Sequence, residues 1–252
     1  MPQSFRQTDI LDLARQQGKV TVDDLAARFG VTHQTIRRDL GDLAEAGHLE
    51  RVHGGAMLPS GVTNIGYEDR RGLNAEAKAR IARRCAEAIP GDCSVFLNIG
   101  TSTEAVARAL LHHRNLMVIT NNINVANIMA ANPDAAVMVA GGMLRRSDGG
   151  LTGAMTRRLV EQFKVDVAVI GCSALDEEGD LLDFDIEEVQ VSQTILRQAR
   201  QSFLVADHSK FLRPAPARIA SLAEIDRFFT DHPLPPALAR QCDEWGTQVS
   251  LD

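Results

Sequence analysis

The residues best suited to chemistry lie in Thr32-His33-Gln34-Thr35-Ile36-Arg37-Arg38-Asp39-Leu40. Gln, Thr and Arg side chains hydrogen-bond to phosphates and to base edges. Helical spacing sets Ile36, Leu40 and Leu43 in one stripe and turns Gln34, Arg37 and Arg38 the other way. Gly41 shares that polar side. The candidate DNA contacts are therefore Thr32, His33, Gln34, Thr35, Arg37 and Arg38, joined by Arg51, His53 and Gly54 from the segment after the helix. The plainer account of adjacent arginines is a solvated charged face. The short turn Gly30-Val31-Thr32, which gives helix-turn-helix spacing, and the donors at Arg51 and His53 weigh against it.

A second set of polar residues follows the apolar strand segments farther along. Ile99 leads into Gly100, Thr101, Ser102 and Thr103, which open a helix and offer backbone N–H groups at its positive end. Thr120, Asn121 and Asn122 follow a second strand, Gly141 and Gly142 a third with Arg145 nearby, and Asp207 and Lys210 a later one. Each has an ordinary reading: capping for the asparagines, a surface cation for Lys210, turn chemistry for the Gly and Thr residues. Their repetition at equivalent strand ends favours one ligand site, because ligands of open α/β sheets bind at the carboxyl ends of the strands.

These groups need positioning. Apolar residues at helical spacing predict a helix from Phe5 to Gln17 that Gly18 stops, and Thr21 with Asp24 three residues later predicts a capped second helix that ends at Gly30. Thr32 caps the third, which Gly47 ends. His48 to Leu58, with Gly54-Gly55 between two short β-like pieces, predicts a hairpin that would serve as a wing. Pro59-Ser60-Gly61 and the polar residues to about Asp69 lack periodicity and read as a linker. The expected domains are 1–58, a winged helix-turn-helix; 59–73, a linker; and 74–252, an α/β effector-binding and oligomerisation domain. A helix from about Ala75 to Ala88 precedes strands at Ser94–Ile99, Leu116–Thr120, Ala136–Ala140, Val165–Ile170, Phe203–Ala206 and Phe228–Thr230, which predict a mainly parallel sheet.

The chain has 252 residues and a net charge of −6, which excludes a protein that coats nucleic acid without sequence preference. Residues 1–58 carry seven Lys or Arg and eight Asp or Glu, net −1, so any DNA affinity depends on arrangement. The first residues lack an apolar leader core and no apolar run is long enough to span a bilayer, so a cytoplasmic protein with no membrane partner is expected. Cys85, Cys93, Cys172 and Cys242 read as reduced thiols. Without a His-x-x-x-His or Cys-x-x-Cys spacing no metal site is expected, no cofactor is implied, and His112-His113 reads as surface.

Gln34-Thr35-Ile36-Arg37-Arg38-Asp39-Leu40 and Arg51-Val52-His53-Gly54-Gly55-Ala56 resemble the DeoR family of bacterial repressors. The likeness runs over nearly the whole chain through Thr120-Asn121-Asn122, Phe184-Asp185 and Asp207-His208-Ser209-Lys210-Phe211. It implies a sensor domain similar in fold to ribose-5-phosphate isomerases and a sugar or polyol phosphate as inducer, with Asp185 and Glu188 at ligand hydroxyls. The implied function is repression of a carbohydrate or glycerol catabolic operon. The repressor would hold double-stranded operator DNA as a homodimer or homotetramer and would be released by a phosphorylated metabolite, glycerol 3-phosphate foremost. Two positions depart from the family pattern. Ser192-Gln193 stand where a basic residue is common, and Ala174 replaces a frequent glycine. The alternative is a sugar-phosphate isomerase-like enzyme with a helical extension; the missing basic residue near Ser192 counts against it, so no enzymatic activity is expected.

Overall fold

The computed structural model describes residues 5–17, 19–59, 64 and 66–252. Gly18, the expected helix stop, and Ser60-Gly61 of the expected linker lie outside the described residues. The chain begins with α1 (Phe5–Gln17), β1 (Lys19–Thr21), α2 (Val22–Phe29) and α3 (His33–Glu45). Thr21 Oγ1 accepts the Asp24 N–H at 3.1 Å and Thr32 Oγ1 accepts the Thr35 N–H at 3.2 Å, so each of the last two helices starts on a side-chain cap. Gly30 closes α2 in a left-handed conformation.

The stripe Ile36, Leu40 and Leu43 packs with Ile10, Leu13, Ala14 and Leu25 into one small core, each large side chain worth about 1.5–3 kcal/mol on burial. Asp39 is buried on the same face of α3, and Arg6 of α1 meets it through Nε–Oδ2 at 2.5 Å and Nη2–Oδ1 at 3.2 Å. The wing is the antiparallel pair β2 (Glu50–Val52) and β3 (Gly55–Met57), and β1 adds a third strand to give the order β1-β3-β2. Three-residue β1 carries too little alternation to be legible from sequence. Its closeness explains Gly55: a Cβ there would stand 1.9 Å from the Val20 carbonyl oxygen.

The region read as an irregular linker contains a helix, α4 (Tyr67–Gly72). Six residues, four of them charged, give no apolar period to detect; α4 is held by tertiary bonds described below. The second domain follows as α5 (Ala75–Glu87), β4 (Cys93–Leu97), α6 (Thr101–Ala109), β5 (Leu116–Thr120), α7 (Ile123–Met129), β6 (Ala135–Val139), β7 (Met143–Arg145), β8 (Gly150–Thr152), α8 (Ala154–Val160) and β9 (Val165–Ile170). It continues with β10 (Ala174–Leu175), β11 (Asp180–Asp183), α9 (Ile186–Arg197), β12 (Ala199–Val205), β13 (Ala217–Ser221), β14 (Arg227–Thr230), α10 (Pro236–Trp245) and β15 (Gln248–Leu251).

Every neighbouring pair in the main sheet is parallel, in the order β15-β14-β12-β9-β4-β5-β6. Alternate residues feed opposite faces. Phe96, Ala168, Ile170, Leu204 and Phe228 pack on α9 and α10, whereas Val95, Leu97, Val167, Val169 and Phe203 pack on α5, α6 and α7. Three features were not anticipated: the edge strand β15, the hairpin β7-β8, and the antiparallel trio β10-β11-β13. The four cysteines are free. His113 is half-buried with Nε2 within 3.0 Å of the Ala86 carbonyl and 3.2 Å of the Ile89 carbonyl, so its ring ties down the end of α5 and is not simply surface. No helix among the described residues is long and apolar enough to cross a membrane.

The crowding at Gly55 yields a first test. Gly55→Ala should destabilise the N-terminal domain by about 1–3 kcal/mol, read as an earlier urea transition for that domain while the α/β domain unfolds at its usual denaturant concentration; an unchanged first transition would show that β1 and β3 are not packed this closely.

Candidate functional site

The exposed side of α3 carries His33, Gln34, Arg37 and Arg38, and the tip of the wing exposes His53 and Gly54. These side chains stand together with the buried stripe behind them, as a helix entering a groove requires. Other residues of the predicted set also bond within the protein. The hydroxyls of Thr32 and Thr35 lie 2.9 Å apart and hold the start of α3. Arg51 Nη1 donates to the Arg37 carbonyl at 3.0 Å and passes near Gly41, where a Cβ would still stand 3.9 Å from it. Burial, with Arg37 adding, lowers its pKa. Arg51 thus props the wing against α3 in place of reaching outward.

The predicted sensor residues all lie at the carboxyl edge of the main sheet. Gly100 through Thr103 join β4 to α6, Thr120 through Asn122 join β5 to α7, Gly141 and Gly142 follow β6, and Asp207 begins the 3-10 turn His208–Leu212 after β12. Two clusters form there.

In the first, Arg145 binds Asp148 (Nη2–Oδ2 2.7 Å), Asp185 (Nη1–Oδ2 2.6 Å) and Glu188 (Nη2–Oε2 2.5 Å). One guanidinium therefore serves three carboxylates. Burial alone would raise Asp148, but Arg145 and the Gly150 N–H outweigh it and hold the group below its usual range. Burial, with Asp183 adding, outweighs Arg145 at Glu188 and pushes it up to about 8.

In the second, Lys210, Lys78 and Asp207 are all buried. Asp207 accepts from Asn74 Nδ2 at 2.8 Å and from Ser209 Oγ at 2.5 Å. Burial opposes its charge, yet Lys210 and these donors bring it down to about 2. Burial, then the neighbouring Lys210, lowers Lys78 to about 7.

Sequence reasoning missed the residues that join the clusters. Arg70 of α4 meets Asp148 at 3.3 Å, accepts the Lys78 ammonium on its carbonyl, and receives Thr101 Oγ1 at 3.5 Å. Tyr67 donates to buried Glu104 at 2.9 Å, and Glu104 also accepts from Asn124 at 3.1 Å and Asn122 at 3.4 Å. Lys78 had a legible signal: it occupies the apolar stripe of α5 beside Ala77, Ile81 and Cys85, where a lysine needs a reason. Tyr67 and Arg70 had none, since α4 itself was not foreseen.

Some predicted residues serve the frame. Thr103 Oγ1 donates to the carbonyls of Asn98 (2.7 Å) and Gly100 (2.8 Å), and Thr120 Oγ1 to that of Leu97 (2.7 Å). A Cβ at Gly142 would lie 2.0 Å from Thr156 Oγ1, so packing alone demands that glycine. Ser192, at the position lacking a basic residue, accepts from Asn98 Nδ2 at 2.8 Å inside the sheet edge.

Among the described residues, two polar contacts tie the sensor domain and α4 to the DNA-binding domain, and Leu212 of the 3-10 turn lies against Gly47. Arg213, just past the 3-10 turn, pairs with Glu50 of β2 at 3.3 Å, both side chains almost wholly out of water. Burial raises Glu50 and lowers Arg213, each opposed by the other's charge. In α4, Asp69 accepts the backbone N–H of His53 in the wing. A cavity of about 660 Å³ lies between these contacts, lined by Arg38, Glu50, Arg51, Asp69, His208 and Arg213 among others.

A winged helix-turn-helix bonded to a polar sheet edge is the construction of a DNA-binding regulator governed by a small molecule. The chain belongs to the DeoR family of transcriptional repressors: residues 6–62 match the DeoR-like helix-turn-helix domain and residues 73–232 the DeoR C terminal sensor domain. It is 43% identical over 251 residues to the glycerol-3-phosphate regulon repressor of Escherichia coli (strain K12), covering 100% of both chains. It is 42% identical over 251 residues to the repressor of the same name from Haemophilus influenzae, covering 100% of this chain and 98% of that one. Among solved structures, ribose 5-phosphate isomerase A from Neisseria gonorrhoeae aligns with 54% of this chain and 53% of its own at 12% identity, with a TM-score of 0.39.

The raised Glu188 fixes the sign of a pH effect. A carboxyl whose pKa rises on folding stabilises the fold below its unfolded value, near 4.5, and loses that contribution as pH climbs through about 8. Glu188→Gln should therefore gain stability relative to the parent as pH rises across that window, measured by urea unfolding near each end; a difference independent of pH would mean that folding does not raise the Glu188 carboxyl.

Proposed function

We propose that the protein represses a carbohydrate or glycerol catabolic operon, binding operator DNA through His33, Gln34, Arg37 and Arg38 with His53 and Gly54 alongside. A phosphorylated small molecule, glycerol 3-phosphate first among them, releases it. The observation that carries this reading is a set of buried polar atoms at the sensor edge with no hydrogen-bond partner among the described residues: Asn121 Oδ1, Asp207 Oδ2 and Arg70 Nε. Each such atom costs about 1–3 kcal/mol when left unpaired. Two are acceptors that suit ligand hydroxyls, and the third is a cationic donor that suits a phosphate oxygen. A polyol phosphate brings both. Its phosphate docks at Gly100 to Thr103, at the start of α6, with Lys210 and Arg70 nearby.

The relatives bearing the glycerol-3-phosphate name support this choice of ligand, and as repressors they leave the isomerase reading without support. Domain limits of 1–58, 59–73 and 74–252 fit the division of labour. The protein acts as a homodimer or homotetramer, because one winged helix-turn-helix covers few base pairs and paired half-sites require a two-fold. Exposed Met138 and Val139 on the edge strand β6, with Met143 and Leu144 on the adjoining hairpin, support such an assembly.

A mobility-shift titration with and without glycerol 3-phosphate separates the two roles. Arg37→Ala should weaken operator binding by about 1–3 kcal/mol. Lys210→Met should bind operator as the parent does but need at least about tenfold more ligand for release, a loss of about 1.4 kcal/mol. Unchanged operator affinity in the first variant, or an unchanged ligand requirement in the second, would overturn the corresponding assignment.

A further inference from the structure

We propose that His208, Asp231 and His232 form a binding site for one divalent transition-metal ion of the zinc class. Neither the spacing of these residues nor the family likeness suggests it; the sheet makes it. Strands β12 and β14 are parallel neighbours with Phe203 opposite Arg227 and Val205 opposite Phe229. Both chains leave the sheet at the same edge, which carries His208 to Asp231 and His232 across an interval of more than twenty residues.

The geometry points to an ion. Asp231 is 2% exposed at its side chain; its Oδ1 accepts the His208 backbone N–H at 2.7 Å, which fixes the carboxylate. Its other oxygen, Oδ2, faces His208 Nδ1 at 2.8 Å and His232 Nδ1 at 3.1 Å. Both imidazoles turn the same nitrogen to one oxygen, and their ring centroids are 4.2 Å apart. Two rings in contact repel if both are protonated, whereas two neutral rings and one carboxylate together offer three lone pairs and a single negative charge to a cation.

The three ligand atoms all lie within 4.8 Å of one another. Metal–nitrogen bonds of about 2.0–2.1 Å in a tetrahedron place ligand atoms about 3.3 Å apart, close to the 2.8 and 3.1 Å that separate the two Nδ1 atoms from Oδ2. Imidazole with carboxylate suits zinc, cobalt or nickel and not magnesium or calcium. His232 is exposed and His208 half-exposed, which leaves an entry path and room for water at the fourth position.

The place gives the ion an effect. His208 opens the 3-10 turn that carries Lys210 into the sensor edge and ends beside Arg213, the partner of Glu50. An ion held there ties this turn to the end of β14, stiffening the link between sensor and wing.

The test uses full-length, untagged protein stripped with chelator and titrated with Zn²⁺ by calorimetry and with Co²⁺ by absorbance. One ion per chain is expected, with a tetrahedral cobalt spectrum and a raised melting temperature. His232→Ala removes an exposed ligand without touching the core; it should melt as the parent does in chelator, weaken Zn²⁺ binding by more than about tenfold, and abolish the metal-induced rise. Cys93→Ser, which alters the most accessible thiol, should bind as the parent does. No stoichiometric binding, or equal affinity in parent and His232→Ala, would overturn the proposal and leave a hydrogen-bonded His–Asp–His group.

Discussion

A buried charge must be met by another, and Arg213 and Glu50 are the pair on which the two domains turn. Their side chains are 4% and 7% exposed, 3.3 Å apart, and come from opposite sides of the domain boundary. Breaking such a pair while both charges stay buried costs about 3–5 kcal/mol. The wing strand β2 therefore cannot leave the 3-10 turn unless water or another group replaces it. That turn also holds Asp207 and Lys210, so rearrangement at the sensor edge and release of the wing draw on the same few residues.

The second link acts in parallel. Helix α4 has no buried residue of its own, and its position rests on what its polar side chains meet: Tyr67 on Glu104, Arg70 on Asp148, Asp69 on the His53 amide. An element held by a few polar bonds, with no apolar burial of its own, is easily shifted. A phosphate that recruited Arg70 would compete directly with Asp148 for it. Such competition between ligand and protein for one guanidinium gives the differential contact that any ligand-driven shift requires.

The legible parts of the sequence were those with strong local signals. The recognition helix declared itself through a capping threonine, an apolar stripe and an opposing polar face, and the core strands through apolar runs ending in Gly, Thr, Asn or Asp. The strands β10, β11 and β13 are short and antiparallel and depend on tertiary pairing, so no period announces them. Arg51 shows a different limit: residue type suits it to phosphate, while the Arg37 backbone carbonyl that its Nη1 meets is visible only in the fold. Arg145, Asp185 and Glu188 are legible singly in the sequence and Asp148 is not, and only the fold reveals that the four answer one another. His208 and His232 illustrate the same limit, since no spacing rule relates residues brought together by parallel strands.

Coupling between the two domains is the central claim, and calorimetry of glycerol 3-phosphate binding, with and without saturating operator DNA, measures it directly. Linkage requires that operator weaken the ligand by the factor by which ligand weakens operator, about 5 to 150 for a coupling of about 1–3 kcal/mol. A lower affinity in the presence of operator within that range is the predicted result; equal affinities under both conditions would mean that the sensor edge, even when filled, does not govern the DNA-binding face.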